Sequence, residues 1–354
     1  MSFVGYAARR LLSKSASLEQ VATDIETISD DERIERPEAK MLPGMLERAL
    51  DSDPFTSLTA QLSVARGGSW HNRGTKAYHL SNAEIIPNGF FCRGHRARLK
   101  DESTLRNFWD HRALPRVDIE EGALISTYTG LRWFGDWLFM DNGQALLAEA
   151  MGAPSLALPP SDDWPHAPQY EHILNLPRRT VTKARVGHLI VFDDLGQNID
   201  RRRRTHEMRR RARSAVDGQS TGHAVFMLRR RQGVDRKMVN EEELADWASK
   251  RGFVVIDPMG MTVTQMLNAL RDARLVVGIE GSGMLHALLA MDTKGAFVSI
   301  VSPHRFVVSS KDYADALGIP YALMVGAPES DGHFRASLDE LARTIEMVEG
   351  LHAA

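Results

Sequence analysis

The stretch Ala273-Arg274-Leu275-Val276-Val277-Gly278-Ile279-Glu280-Gly281-Ser282-Gly283-Met284-Leu285-His286-Ala287-Leu288 decides the fold. It reads as a short apolar strand, a glycine-dense turn and an apolar helix. Such a turn leaves the first backbone N–H groups of the helix free, with the positive end of the helix dipole behind them. Gly281 and Gly283 carry no Cβ, so an anion can approach the backbone closely there. A phosphate or diphosphate is the natural occupant. A tight strand-to-helix connection without a ligand explains the same residues. The spacing is not G-x-G-x-x-G and no G-K-[ST] is present, so neither the dinucleotide fingerprint nor the P-loop applies.

Working outward, strand-like runs near 223–228, 253–256, 275–279, 296–301 and 321–325 alternate with helical ones. Two of the helices open on capping signals, Asn240 with Glu243 and Thr262 with Gln265. This alternation predicts an α/β fold with a parallel sheet and helices on both faces. Between 66 and 200 the alternation is looser. Residues 123–127 and 188–192 read as buried strands, 138–151 as a helix and the proline-rich 156–168 as a loop. The chain divides into an N-terminal variable helical segment (1–65), a first α/β domain (66–204), a second α/β domain (205–325) and a C-terminal helix (326–354).

Composition bounds the function. The 354 residues include 43% hydrophobic and 25% charged, ordinary values for a chain with a real core. A net charge of −2 gives no global drive toward nucleic acid or an anionic membrane. The single cysteine, Cys92, excludes an intramolecular disulfide and a cysteine-rich metal site, and fits a reducing, cytoplasmic compartment. The thirteen histidines form no H-E-x-x-H or other ligand spacing. No apolar run approaches the ~18 residues of a transmembrane helix, and no signal peptide is visible. Phe3, Tyr6, Leu11 and Leu12 with Arg9, Arg10 and Lys14 can form a short basic helix on the inner face of a membrane, or pack on the protein's own body.

Residues 201–213 hold eight arginines. On a helix they cover most of the circumference and leave Met208 and Ala212 as the buried side, so a solvated linker helix is the leading expectation. A basic wall facing a nucleotide diphosphate or anionic glycan is the alternative. Nucleic-acid binding lacks interleaved aromatics or a motif.

A strand ending in Arg229-Arg230-Arg231 is followed by Arg236 and then Asn240-Glu241, and further on by Gln265 and the turn with Gly278, Gly281 and Gly283. This order resembles the family 61 glycosyltransferases, which include bacterial capsular-polysaccharide enzymes. There a strand ends in Arg, a second Arg follows in the next loop, Asn-Glu opens a helix, and a later strand runs into a Gly-x-His-Gly-Ala-Gly-Leu turn. Glu280 stands where the family usually has His, and Ser282 where it has Ala. The resemblance is clear over residues 222–302. It implies two Rossmann-like domains facing across a cleft, the GT-B arrangement, and transfer of a sugar from a nucleotide-diphosphate donor to a glycan or polysaccharide acceptor.

Such a reaction sets two tasks: stabilising charge on the departing diphosphate, and accepting the proton of the attacking hydroxyl. The helix start at Gly281, Ser282 and Gly283 suits the first, with Arg230 and Arg236 as guanidinium forks for phosphate oxygens. Asn240, Glu241, Gln265 and Glu280 complete the expected donor set; a plain helix cap also explains Asn240 and Glu241, and an exposed turn acid explains Glu280. For the second task, Asp136 lies between Trp133 and Trp137, where the family often has His. A partly apolar cleft there would raise its pKa toward that of a useful base. Asp141 is the fallback, and a capping Asp on a core helix is the plain alternative. Asp193-Asp194 is a weak metal candidate. A diphosphate held by a helix start and arginines needs no metal, so no cofactor is expected and the reaction is read as metal-independent and inverting. A non-catalytic nucleotide- or glycan-binding protein and another Rossmann-like nucleotide-dependent enzyme are the competing readings.

Overall fold

The computed structural model describes residues 16–100, 115–160, 164–216, 224–230 and 238–353. Residues 3–14, which carry the candidate membrane-surface helix, and Arg236 lie outside them. The chain forms two compact units. The first comprises residues up to 32 together with 72–204, and the second 33–71 together with 205–354.

The second unit is built on a five-stranded sheet whose spatial order is Val254–Ile256, Ala224–Met227, Leu275–Ile279, Ala296–Val301, Tyr321–Val325. Every neighbouring pair is parallel. The last three strands are buried along their whole length, as expected of strands covered on both faces. Numbered by sequence, the order is 2-1-3-4-5, a doubly wound pattern. The five strand-like runs of the sequence correspond to these five strands. Thr262 and Gln265 form the expected capping box at the start of helix Val263–Leu270. Asn240 does not cap helix Glu241–Ser249. Its amide instead exchanges hydrogen bonds with the backbone of Ala336, donating to the carbonyl at 2.9 Å and accepting from the N–H at 3.1 Å. The run after Gly281 is a 3₁₀ helix, Ser282–Leu289, not an α-helix.

The segment 33–71 completes this unit. Lys40 bonds in register with the edge strand, donating to Tyr321 O and accepting from Leu323 N, both at 2.9 Å. Arg36 sits between Asp312 and Asp315, and Arg48 pairs with Glu340. Buried Lys311 donates to Pro37 O at 2.6 Å.

The first unit differs from the Rossmann-like expectation. Its eight-stranded sheet is mixed. The long strand Thr75–Ile86 runs antiparallel to Ala184–Asp193, Asp24–Ser29 and Gly89–Cys92. Only the run from Ala184–Asp193 through Val117–Leu124 and Ser155–Ala157 to Arg179–Thr180 is parallel. A buried-strand reading such as that of 188–192 is local and does not fix the direction of a partner strand, which is set here by pairings distant in sequence.

The arginine helix, Ile199–Ser214, is not a solvated linker. Met208 and Ala212 are buried as expected, but so are Arg201, Arg204 and Arg209. In the first unit Arg204 donates to both carboxylate oxygens of Asp194 (2.9 and 2.7 Å), to Asp200 at 2.7 Å and to Gly143 O at 2.9 Å. Thr75 also donates to Asp194, and Arg201 donates to its carbonyl. Burial alone would raise the Asp194 carboxyl, but the charges of Arg201 and Arg204 outweigh it and hold it below its ordinary value. Asp194 is therefore an ion-pair partner, not a metal ligand, and among the described residues no group of three acidic, His or Cys side chains is placed to hold a metal. In the second unit Arg209 donates to Leu288 O at 2.7 Å and to Met291 O. No described helix is long and apolar enough to cross a membrane.

Candidate donor and acceptor sites

The second unit's sheet reverses its winding between Ala224–Met227 and Leu275–Ile279, which are spatial neighbours but not consecutive strands. Open α/β sheets bind ligands outside the carboxyl ends of the strands at such a switch point. Here those ends are Leu228-Arg229-Arg230 and Glu280-Gly281.

Glu241, the first residue of its helix, shapes this edge. Its carboxylate accepts the backbone N–H of Arg229 and, at 2.7 Å, that of Arg230. Burial pushes the Glu241 carboxyl up, and those two N–H bonds work against the shift. Arg230 is thereby fixed at φ 48°, in the left-handed region that non-glycine residues rarely occupy. The two arginines consequently point apart. Arg230 is exposed and donates to Asp257 at 2.8 Å, with Glu242 3.4 Å away. Arg229 is half-buried and donates from Nη1 to Glu280 O at 3.2 Å.

Gly281 has φ 151° and faces the Arg229 guanidinium so closely that a Cβ there would overlap it. It stands at the start of helix Ser282–Leu289, which no side chain caps. Ser282 and Gly283 are partly exposed. Glu280 is not an exposed turn acid but is buried, and its N–H donates to Ile300 O at 2.9 Å. At the far end of the same helix, Arg209 and Arg213 donate to the carbonyls of Leu288, Ala290 and Met291, placing cations at its negative end. Of the sequence-derived donor set, the switch-point edge brings together Arg230, Glu241, Glu280, Gly281, Ser282 and Gly283. Gln265 spends its side-chain oxygen on the cap at Thr262, and Asn240 is committed to Ala336. Arg229 was missed, although the three-arginine strand end pointed to it.

In the first unit, Trp133 precedes the helical turn Phe134–Asp136, which runs into a π-helical turn, Trp137–Asp141, and then helix Asn142–Ala150. The wide turn is a local irregularity of the kind often found at functional sites. Phe134 is packed on by Trp137, Trp164, His166 and Tyr170, with ring centroids 5.7 to 6.2 Å apart. The Arg178 guanidinium lies over the Trp137 ring at 4.9 Å, donates to Asn142 Oδ1 at 2.5 Å and forms an ion pair with Glu171. Asp136 is half-buried in the turn between Phe134 and Trp137. Asp141 is only 1% exposed, and its Oδ1 accepts the N–H and hydroxyl of Thr127 at 3.0 and 2.7 Å. A Cβ at Gly130 would overlap that carboxylate. Burial pushes the Asp141 carboxyl up to about 7, against the pull of Thr127 and Arg178.

A separate cleft of about 400 Å³ on the same unit is lined by Glu26, His79, Glu121 and His188. The two imidazoles are stacked with a 3.0 Å contact between His79 Nδ1 and His188 Nε2. They are brought together by antiparallel strands distant in sequence, and no sequence signal marked them.

The second unit is thus a parallel α/β sheet with an uncapped glycine turn and arginines at its switch point, the place where such sheets take ligands. The model of the family described as Glycosyltransferase 61 matches residues 107–298, more than half of the 354. The chain therefore belongs to glycosyltransferase family 61 and is a glycosyltransferase. No curated protein matches it.

Proposed function

We propose that the chain transfers a hexosyl or pentosyl group from a nucleotide-diphosphate donor to a glycan or polysaccharide acceptor, with inversion and without a metal, in the GT-B manner. The observation that carries this reading is the uncapped Gly281 helix start at the switch point, with arginines on the neighbouring strand end. The turn at 281–283 and the arginine segment with Arg230 and Arg236 receive the diphosphate, whose growing charge is met by dipole and guanidinium. Glu241 holds the strand end in shape. In the first unit Asp136, half-exposed and next in sequence to Trp137 of the aromatic cluster, accepts the acceptor's proton. Asp141, sealed behind Thr127, keeps the preceding loop in place. The His79–His188 cleft is a second candidate for the base, favoured by the imidazole contact. A capsular-polysaccharide setting at the cytoplasmic face of a membrane fits a chain with one cysteine.

The test is a nucleotide-sugar hydrolysis and transfer screen with excess chelator present. A nucleoside diphosphate at 100 times its Kd should stabilise the fold by ~2.7 kcal/mol. If no nucleotide or nucleotide sugar raises the melting temperature at millimolar concentration, or if chelator abolishes turnover, the corresponding part of the reading is wrong.

A further inference from the structure

We propose that Glu26, His79 and His188 form a proton relay in the cleft of the first unit, in which His188 Nδ1 takes the proton of a bound hydroxyl and His79 is the positioning residue. The inference rests on the cleft as the second candidate for the base, and names the atom that acts there. The sheet brings the three residues together. His79 faces Ile190 across the antiparallel pair and Ser81 faces His188, so both imidazoles stand on one face, one step apart. Asp24 lies opposite His79, and Glu26, two residues on, shares that face. His79 Nδ1 and His188 Nε2 are 3.0 Å apart, while the ring centroids are 5.2 Å apart in planes 13° from parallel. These two nitrogens therefore face each other between the rings. The outer nitrogen of His79, Nε2, is 3.9 Å from Glu26 Oε2. The outer nitrogen of His188, Nδ1, has no hydrogen-bond partner among the described residues and is not sealed from solvent.

The proton positions follow from this series. A neutral imidazole holds one proton, on one nitrogen. The 3.0 Å contact needs that proton on His79 Nδ1 or on His188 Nε2, not on both. With it on His79 Nδ1, the Nε2 lone pair of His79 faces the Glu26 carboxylate, one acceptor against another. With His79 protonated at Nε2, its N–H points toward Glu26, and its Nδ1 accepts from His188 Nε2–H. His188 then carries its lone pair on Nδ1. Glu26 thus sets the tautomer of His188 through His79, the part an orienting carboxylate plays for a histidine base. Glu121 stands beside His188 in the parallel register but forms no ion pair with it among the described residues. Both glutamates line the cleft of about 400 Å³ and can accept hydroxyl protons, so the ligand class is a small polyol such as one sugar unit.

The step balances within the relay. The hydroxyl O–H bond breaks, an N–H bond forms at His188 Nδ1, and the oxygen's electron pair enters the bond it makes. The Nε2 proton of His188 passes to His79 Nδ1. His188 ends neutral, and the positive charge rests on His79, beside Glu26. Asp136 cannot serve the same hydroxyl. The continuous helical run from Phe134 to Ala150 ends at the turn 150–153, which forms another wall of the cleft. At 1.5 Å per residue, Asp136 is roughly 20 Å from that turn.

The tautomers can be read on the full chain by two-bond ¹H–¹⁵N correlation of labelled histidine at pH 8, assigned with His79→Gln and His188→Gln. Both imidazoles should be in the Nε2–H form. Glu26→Gln should convert part of both to the Nδ1–H form, a change that a merely structural role would not produce, and Glu121→Gln should leave them as they are. A wild-type His188 with its proton on Nδ1, or tautomers that respond to Glu121→Gln and not to Glu26→Gln, overturns the relay. Turnover tests the base reading separately. His188→Ala should lose about 10²- to 10⁴-fold in transfer at unchanged nucleotide affinity, and added imidazole should restore part of it. Glu26→Gln should lose less. If His188→Ala does not fold, His188→Gln replaces it, since it keeps a donor for His79 Nδ1 and has no basic nitrogen. If transfer survives the loss of His188, the cleft is not the base and the inference falls with that reading. If transfer is lost but His188 holds its proton on Nδ1, the base reading stands and the relay is wrong.

Discussion

Asp141 gives the sharpest physical test of the first unit. Its carboxyl is buried and its pKa lies at about 7 in place of the ordinary 3.8. An acid whose folded pKa is raised holds its proton more tightly in the folded state. Its contribution to stability is therefore present below the unfolded pKa and is lost as pH rises through the folded one. The full loss corresponds to roughly 4 kcal/mol, and roughly 2–3 kcal/mol of it falls between pH 5 and pH 8. Asp141→Asn keeps an acceptor oxygen for Thr127 and cannot ionise. Urea denaturation of both proteins at pH 5, 6, 7 and 8 reads the difference directly. The variant should gain on the wild type by roughly 1 kcal/mol per pH unit up to pH 7 and level off above it, roughly 2–3 kcal/mol in total. Curves that stay parallel would refute the reasoning, because they would mean that Asp141 is ionised throughout or that water reaches it.

Other outcomes follow from the same structure. Asp194→Ala strips the buried Arg204 of one of its two carboxylate partners, leaving Asp200, and should cost about 3 kcal/mol in urea denaturation; since the Asp194 pKa is depressed, the pair's contribution is present above the ordinary carboxylate value and lost as pH falls through the folded one. Glu241→Gln replaces the acceptor shared by the N–H groups of Arg229 and Arg230, and should cost about 1.5–3 kcal/mol while lowering nucleoside diphosphate affinity in the same preparation. Asp136→Asn should lower transfer by about 10²- to 10⁴-fold at unchanged donor affinity, measured as turnover and nucleotide binding side by side; near-full transfer moves the base to another group, with the His79–His188 pair next in line.

The second unit was the legible half. Its strands are short runs of Val, Leu and Ile covered on both faces, and a continuous apolar run is a local signal. The Thr262–Gln265 capping box was legible for the same reason, since all its partners lie within one turn. What escaped notice depended on partners distant in sequence. Asn240 looks like a cap and is instead committed to Ala336, and Glu280 looks like an exposed turn acid although it is buried. Arg209 reads as surface charge, yet backbone carbonyls at Leu288 and Met291 allow it to be buried. At the donor edge the sequence marked the right arginine cluster, but which member meets the glycine turn depends on one left-handed residue, Arg230. No local pattern encodes that.

The interleaving of the chain bears on how the protein can be made. Residues 33–71 belong with a sheet whose edge strand, Tyr321–Val325, is synthesised far later. At ordinary ribosomal rates the two emerge roughly 10–50 s apart. During that interval Lys40 lacks its strand, and Arg36 lacks Asp312 and Asp315. The first unit has all its residues by position 204 and can close over the gap, whereas the second has to wait for its last strand. A fragment starting at Thr205 would leave Lys311 buried without the Pro37 carbonyl and the edge strand without Lys40. Dissecting the enzyme therefore calls for a rearranged gene that carries 33–71 along with 205–354, and a cut at the unit boundary alone would yield an incomplete sheet.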